Sequence, residues 1–362
     1  MGQIAAVMRL ELKKTFFSKR GLWVYLVAFA PAALYLIHAI DVTRDHEHRQ
    51  ALAAAHPVAT GTLRAIKEGM TAEAVVAAAG EPYAIRTIPG GRRLRRAGPR
   101  DPAGFRDLAI YQYTDGDSDF AFVFVDGQLE RINEQERCNL QKDSAIFATV
   151  FQFFYLRLAV FFGCVGIFMN LFRGEMLDKS LHFYLLAPMR REVLLAGKYL
   201  AGLIAAVAIF VMGTALQLAA LSWHFDAGAV SQYLQGPGWG QIAAYLGVTA
   251  LACAGYGSIF LAAGLVFRNP ILPAAGVLLW ESINLFLPAS LKKISIIFYL
   301  QALCPVVASP DRNLSLLQRL LISSAEPPAA WAAIVGLLAV TAAVLVLAGR
   351  RARTLEINYG TE

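Results

Sequence analysis

Residues 172–201, FRGEMLDKSLHFYLLAPMRREVLLAGKYLA, lie between two long apolar runs, and the organisation of the chain follows from them. Charged side chains at this density do not remain in hydrocarbon, so the sequence predicts a water-facing connection between two membrane spans. Basic residues accumulate in short loops on the cytoplasmic side, and we therefore expect the connection to be cytoplasmic. Its charged residues are Arg173, Glu175, Asp178, Lys179, Arg190, Arg191, Glu192 and Lys198.

The same connection also has helical periodicity. The spacing of its apolar residues predicts a short amphipathic helix beneath the membrane, at about 174–192, interrupted at Pro188. A structured helix in this place is what a membrane domain needs if a soluble motor is to move it. An ordinary loop with a solvated charged face is the alternative, because charge runs in short loops are common. The apolar positions are Leu177, Leu181, Tyr184 and Leu185.

The composition indicates a polytopic α-helical membrane protein. The chain has 362 residues, of which 57% are hydrophobic and 16% charged, and its mean hydropathy is +0.50. Several apolar runs reach the roughly 20 residues that cross a bilayer, unlike the weak alternating pattern of an outer-membrane barrel. The net charge of +7 is accounted for by cytoplasmic flanks and one basic loop, so we do not expect nucleic acid as a partner.

The apolar runs predict about six spans with both termini in the cytoplasm. The loop at 226–238 has no Lys or Arg and is expected outside, and the apolar run at 294–307 is too short to cross. The expected spans after the first are Ile146–Phe172, Tyr199–Trp223, Gln241–Val266, Ile271–Leu287 and Ala329–Ala348. The predicted domains are a cytoplasmic interfacial helix at 1–20, the first span at 21–40, an extracytoplasmic α+β domain at 41–144, the remaining transmembrane domain at 145–349 with outer re-entrant or surface-lying helices at about 288–307, and a cytoplasmic tail at 350–362.

The inserted outer domain shows local signals for one helix and a small antiparallel sheet. Thr71 is a suitable cap for a helix Ala72–Ala79 that Gly80 ends. The pair Asp126-Gly127 predicts a tight hairpin turn. The expected strands are Tyr83–Ile88, Leu108–Tyr113, Phe120–Val125 and Gln128–Ile132.

With this topology, the chain resembles an ABC type-2 permease, the membrane subunit of a bacterial ATP-driven exporter. The basic amino-terminal helix and residues 172–203 carry the resemblance: a Gly-Glu pair, a polar-aromatic stretch, then Pro-x-Arg-Arg and Gly-Lys at the start of a span. It implies a type V exporter-like architecture in the inner membrane and a coupling helix that contacts an ATPase subunit. It also implies a dimer, expected to be a homodimer, with the transport path at its interface.

The outer insertion is longer than is usual in that family. Its segments GMTAEAVVAAAGEP, IYQYT and FAFVFVDGQLERI resemble the small BamE-like (SmpA/OmlA) domain of outer-membrane lipoproteins. That resemblance implies a module that binds an envelope protein or the substrate, without catalysis. Arginines 92, 93, 95, 96 and 100 form a basic loop in it, which is either solvated or attracted to anionic lipid headgroups.

Two groups of residues are candidates for function. In the connection, charged side chains at the rim of an interface would set the register in which an ATPase subunit docks. Aromatic side chains would supply the buried anchors of that interface, and the alternative is that they lie in the membrane interface. Inside the spans, ionisable residues need a partner or a wet cavity, and we expect either a charge pair lining the transport path or a structural salt bridge. The candidates for binding the ATPase subunit are Glu175, Asp178, His182, Phe183, Tyr184, Arg190 and Arg191, and those within the spans are Arg157, Trp280, Glu281 and Asn284.

No catalytic motif is expected in this chain. It lacks the phosphate loop G-x-x-x-x-G-K-[ST], so ATP and Mg²⁺ are expected in the partner ATPase subunit, with no cofactor in this chain. Four histidines, at 38, 46, 48 and 56, are interpreted as solvated residues, with a loose metal site as the alternative. Cys138 and Cys304 are the one pair with a conceivable disulfide. The expected function is thus an exporter permease, and the alternative is a non-transporting scaffold or sensor whose outer domain binds an envelope partner.

Overall fold

The computed structural model describes residues 2–17, 21–58, 60–91, 106–136, 140–177, 190–267, 269, 271–306 and 327–353. The chain divides into two compact units. We call Met1–Leu36 with Gln141–Glu362 the helical unit, and Ile37–Leu140 the α+β unit. The elements are α1 (Gly2–Phe17), α2 (Leu22–Ala55), α3 (Thr60–Ala65), α4 (Ala72–Ala79), β1 (Ala84–Gly91), β2 (Arg106–Thr114), β3 (Ser118–Val125), β4 (Gln128–Glu136), α5 (Leu140–Val150), α6 (Phe161–Cys164), α7 (Asn170–Leu177), α8 (Arg191–Ser222), α9 (Ala227–Tyr233), α10 (Trp239–Val266), α11 (Ile271–Ile283), α12 (Ala289–Lys292), α13 (Ile296–Leu303) and α14 (Ala330–Arg353).

Five helices in the described part of the chain are long and apolar enough to cross a membrane, which indicates a membrane protein. π-Helical or α-helical segments join several of the elements above into these longer rods. We call the five helices spans 1 to 5, in chain order: Leu22–Ala55, Lys142–Phe172, Arg191–Ser222, Ala227–Val266 and Ala330–Arg353.

The predicted span Ile271–Leu287 is not a full-length helix. Its helical part, α11, has 13 residues and is followed by a 3₁₀ turn at Asn284–Phe286. Leu287 is extended because it precedes Pro288, which disfavours helical backbone at that position. About 20 residues are needed to cross, so the expectation of about six spans is corrected to five membrane-length helices and one shorter apolar helix among the described residues.

Two helices extend beyond the predicted span ends. Span 1 continues to Ala55 because neither glycine nor proline interrupts the charged stretch that follows Ile40. The predicted outer loop at 226–238 is also helical: the Asp226 carboxylate accepts a hydrogen bond from Gly228 N at 2.9 Å and caps it. Gly236 and Pro237 kink this segment without ending it.

Span 2 contains two π-helical segments, Phe151–Val160 and Val165–Met169, which the sequence did not predict. Its buried face is a row of aromatic side chains. The Phe151 and Tyr245 rings meet edge to face with centroids 4.8 Å apart, and the Phe161 and Phe260 rings do so at 4.9 Å. These contacts pack span 2 against span 4, and π-helical turns inside a helix are typical of functional sites.

The short helix α13 lies inside the helical unit. Ile297 and Leu300 have no exposed surface, and α13 packs against α10 and α14. The sequence left a re-entrant and a surface-lying helix as alternatives for this apolar run. The run is therefore part of the packed interior of the helical unit.

The α+β unit contains an antiparallel sheet in the order β1-β2-β3-β4. The predicted helix Ala72–Ala79 is confirmed, with Ala74 N donating to the Thr71 hydroxyl and with Gly80 at φ 78°. The hairpin turn is confirmed too, since Asp126 and Gly127 both have positive φ. A second helix, α3, was not predicted; its Leu63 packs with the buried phenylalanines of β3 in one core.

Candidate functional site

A buried carboxylate, Glu281, lies at the end of α11 with 4% of its surface exposed. Its Oε2 accepts hydrogen bonds from the Ser295 hydroxyl at 2.6 Å and from Ile297 N at 3.0 Å, and its Oε1 accepts one from Ile296 N at 3.0 Å. These donors belong to the first turn of α13. The carboxylate therefore caps a helix start, where unpaired N–H groups and the helix dipole favour negative charge.

The predicted partner of Glu281 is Arg157, in the middle of span 2. The guanidinium lies within electrostatic reach of the Glu281 carboxylate and the Tyr256 hydroxyl. It stacks over the Phe153 ring, 5.2 Å from the centroid. Among the described residues it forms no salt bridge and no hydrogen bond, and its Nε is buried without a partner. The structure thus brings the two residues near each other without a direct ion pair.

Other polar groups close to this carboxylate also lack partners. The Tyr256 hydroxyl, on span 4, is fully buried and has no hydrogen bond within the described chain. Asn284 is 5% exposed and its Nδ2 is likewise unsatisfied there. Trp280 is half-buried. Sequence reasoning missed Tyr256, although a tyrosine in the middle of an apolar span is a signal that could have found it. We call Arg157, Tyr256, Glu281, Asn284 and Ser295 the intramembrane polar cluster.

The predicted partner-binding residues are only partly visible. Asp178, His182, Phe183 and Tyr184, with the predicted amphipathic helix, lie outside the described residues, and Glu175 belongs to α7 with its side chain not described. The exposed Arg190 directly precedes α8.

Arg191 binds within the chain. Its guanidinium donates to the carbonyl oxygens of Arg353, at 2.8 Å, and Ala352, at 3.5 Å, while Glu192 forms an ion pair with the Arg353 side chain. The start of span 3 is thereby fastened to the end of span 5. The carbonyls at the end of a helix lack intrahelical partners, and Arg191 satisfies two of them.

A buried charge pair lies at the same end of span 3. Lys198 has no exposed surface, and its Nζ lies 2.8 Å from Glu11 Oε1 and 2.8 Å from the Leu171 carbonyl oxygen. Lys198 was expected to face water as part of the connection, and that expectation is wrong because α8 begins at Arg191 and carries the lysine into the packed interior.

The amino-terminal helix α1 packs on α8, and Val7 and Glu11 are its buried side chains. A Cβ at Gly197 would lie 2.8 Å from Val7 Cγ1, so glycine permits this close approach. A lone acidic residue in an otherwise basic helix was the signal for Glu11.

Neither a disulfide nor a metal site is seen in the described residues. Cys304 is a buried free thiol, and Cys138 lies outside the described residues. Nor do the described residues contain a cluster of three or more His, Cys, Asp or Glu side chains that would hold a metal. His46 hydrogen-bonds to the Gln50 amide, 2.8 Å away on the same helix, which agrees with a helix-surface interpretation.

No family model, curated protein or solved structure matches the chain. The resemblances to ABC type-2 permeases and to BamE-like domains therefore rest on the quoted residues alone. What the geometry adds is independent of them: a buried ion pair and a helix clamp at one end of the spans, and a polar cluster near the middle. These two features are the basis of the functional proposal.

Proposed function

We propose that the chain is the membrane-spanning permease subunit of an ATP-driven ABC exporter in a bacterial inner membrane. It works as a dimer, here a homodimer, with separate nucleotide-binding subunits that hold ATP and Mg²⁺. ATP-driven closure of those subunits tilts the coupling segment of each protomer. The tilt switches access to a path between span 2 and α11 of facing protomers. The chain itself supplies no hydrolytic chemistry.

The observation that carries this proposal is how the start of span 3 is held. In sequence, residues 178–189 join α7 to span 3. On one side, Lys198 ties span 3 to Glu11 of α1 and to Leu171 of span 2. On the other, Arg191 ties span 3 to span 5. A displacement of the segment would therefore move three spans together, which is what a coupling element requires.

The distribution of tryptophan and basic residues supports the proposed orientation. Trp223, Trp239 and Trp331 are about two-thirds or more exposed, at 70%, 67% and 72%, and lie where spans 3, 4 and 5 approach one boundary. The opposite ends of spans 3 and 5 carry Arg190 and Arg350, both exposed. Tryptophan favours the membrane interface and basic residues favour the cytoplasmic side, which supports a cytoplasmic position for the connecting segment.

The experiment is purification of the tagged chain in mild detergent from its own host, with ATP hydrolysis measured in the recovered complex. We expect an ATPase subunit to copurify and to hydrolyse ATP. The Phe183→Ala/Tyr184→Ala double variant should recover much less of the ATPase subunit, because aromatic anchors dominate the binding energy of an interface. Trp223→Ala is the matched control, since this aromatic side chain lies at the opposite membrane boundary. A complex without ATPase activity, or equal recovery by the double variant, would count against the proposal.

A second candidate is a membrane scaffold or sensor that binds an envelope partner. The observation favouring it is the α+β unit, which has its own core of Leu63, Val75, Phe120, Phe122 and Phe124 and is larger than a connecting loop needs to be. Its edge strand β1 exposes Ile85 at 57%, and edge strands accept added strands from other chains. A purified complex that contains an envelope protein and no ATPase would favour the scaffold.

A further inference from the structure

Arg157 lies at the centre of span 2. The span runs from Lys142 to Phe172, so 15 residues separate Arg157 from either end, about 20 Å at the helical rise. A hydrocarbon core about 30 Å thick places its midplane about 15 Å from either headgroup region. Snorkelling is a property of basic residues near helix ends, and this arginine is too deep to reach a headgroup.

Among the described residues, no acidic side chain at this depth forms an ion pair with Arg157. Both oxygens of Glu281 accept hydrogen bonds from the start of α13, and the carboxylate is buried. The other acidic side chains in the described parts of spans 2 and 3, Asp143 and Glu192, are at helix ends. Arg157 is within electrostatic reach of Glu281, but it forms no ion pair and no hydrogen bond among the described residues. A half-buried guanidinium without a direct partner is costly in hydrocarbon, which favours an anion that comes from outside the chain.

The surface beside Arg157 is apolar and aromatic. Phe153, Phe154, Leu158 and Phe162 are exposed by 45%, 46%, 36% and 37%, and we call them the Phe153 face. The Phe153 ring already contacts the guanidinium. A cation within an apolar face is complementary to a molecule with an acidic group and a hydrocarbon tail. Guanidinium groups bind carboxylate and phosphate through two parallel hydrogen bonds.

We propose that Arg157 and the Phe153 face bind an amphiphilic anion, with a carboxylate or phosphate group on Arg157 and an alkyl chain on the aromatic rings. If the exporter function proposed above is right, on which this assignment of substrate class rests, such molecules are what it transports. Glu281 then has a separate role, which is to hold α13 in place beside the path.

The test is photolabelling of the full chain in phosphatidylcholine nanodiscs, without any ATPase subunit. The probes are a hexadecanoic acid with a diazirine in its chain and the matching hexadecanol. We expect the acid to label residues 150–162 about tenfold more than the alcohol, the ratio that one charge-assisted hydrogen bond supplies. Arg157→Gln should reduce acid labelling to the level of the alcohol, and Arg157→Lys should retain part of it. Arg350→Gln, which changes an exposed arginine at the end of span 5, should label like the wild type.

Equal labelling by acid and alcohol would overturn the proposal, as would full acid labelling of Arg157→Gln. If that variant does not fold, competition on the wild type decides: unlabelled hexadecanoate should displace the probe and hexadecanol should not, and equal displacement would overturn the proposal. Phosphatidylglycerol added to the nanodiscs distinguishes two sources of the anion, and either result supports the site. If phosphatidylglycerol competes with the probe, the ligand is an anionic phospholipid; if it does not compete, the ligand is a single-chain acid. No ATPase takes part in this experiment, so a failure of labelling would contradict the binding site and not the exporter function. Conversely, labelling of a chain that does not transport would support the binding site and not the exporter function.

Discussion

The Nζ of Lys198 lies 2.8 Å from the Oε1 of Glu11, although 187 residues separate the two and both are buried. The same ammonium group donates to the Leu171 carbonyl oxygen. One lysine thus joins the amino-terminal helix, the end of span 2 and the start of span 3.

Removal of one member of this pair should destabilise the protein strongly. Glu11→Leu leaves a buried ammonium without its carboxylate, and we expect a loss of about 3–5 kcal/mol, seen as a lower Tm in detergent. The Glu11→Leu/Lys198→Leu double variant should regain most of it, because both charges are gone. Lys13→Leu, at an exposed position of the same helix, is the control. A single variant as stable as the wild type would show that the pair contributes little.

Span packing should be sensitive to glycine at one position in particular. A Cβ at Gly213 would lie 2.5 Å from the Tyr155 hydroxyl and 2.7 Å from the Ala28 carbonyl oxygen. Gly213→Ala should therefore separate spans 1, 2 and 3 and cost about 1–3 kcal/mol. Gly247→Ala in span 4, with nothing within 4 Å of its Cβ, should leave Tm unchanged or raise it. Equal Tm values for both variants would contradict the packing described.

Local signals predicted the parts of the fold that depend on neighbouring residues. Thr71 and Gly80 bound a short helix, and Asp126-Gly127 makes a hairpin, because each acts through its own backbone. The length of the apolar runs also located most of the long apolar helices. The helical segment at 227–238 was missed because it lies between two apolar runs and was interpreted as an outer loop. Gly236 and Pro237 kink it without ending it.

The candidate site was less predictable, because its contacts join distant residues. Arg157 and Glu281 were found as charges inside apolar runs, and the structure places them near each other. Glu281 caps α13 because of the way α11 and α13 pack together. The spacing of residues along the sequence does not predict that packing. Glu11 was missed for the same reason, as its partner lies far along the chain. The aromatic residues at 182–184 lie outside the described residues, and their docking role stays a prediction.

Glu281 should be needed for the integrity of α13. Glu281→Gln retains one acceptor oxygen and removes the charge that favours the helix start, so we expect about 1–3 kcal/mol of destabilisation with expression intact, and reduced transport or ATPase activity. Ser295→Ala removes one of the three hydrogen bonds and should cost less. Tm measured in detergent and ATP hydrolysis of the complex are the readouts. Unchanged values in Glu281→Gln would remove this residue from both roles.

The loop between β2 and β3 should lose stability in acid. Burial alone raises the pKa of the Asp115 carboxyl, but hydrogen bonds from Ser118 N, the Thr60 hydroxyl and Asp117 N outweigh it and hold the pKa below its usual value. Stability from a depressed carboxyl pKa is complete above its unfolded value of about 4 and is lost as pH falls through the folded pKa.

Amide exchange of residues 115–118, corrected for intrinsic rates, should therefore lose protection below pH 4 in the wild type. In Asp115→Asn, these amides should already be less protected than in the wild type at neutral pH, by about 1 kcal/mol in the free energy of opening. Their protection should then show no further loss in acid. Asp117→Asn, which changes an exposed side chain, should behave like the wild type. Acid-dependent loss that persists in Asp115→Asn would assign it to another group.

The orientation of the spans can be tested with single cysteines and a membrane-impermeant maleimide. With Cys138→Ser as the background, the remaining cysteines at 164, 253 and 304 are buried and should label weakly. Gln235 and Arg190 are both exposed in the helical unit. Because span 3 connects the basic end at Arg190 to the boundary that carries Trp223, the two sites belong to opposite sides of the membrane. We expect intact cells to label Gln235→Cys, and Arg190→Cys to react only after lysis. Labelling of Arg190→Cys in intact cells would place the connecting segment outside, where no ATP-driven subunit could reach it.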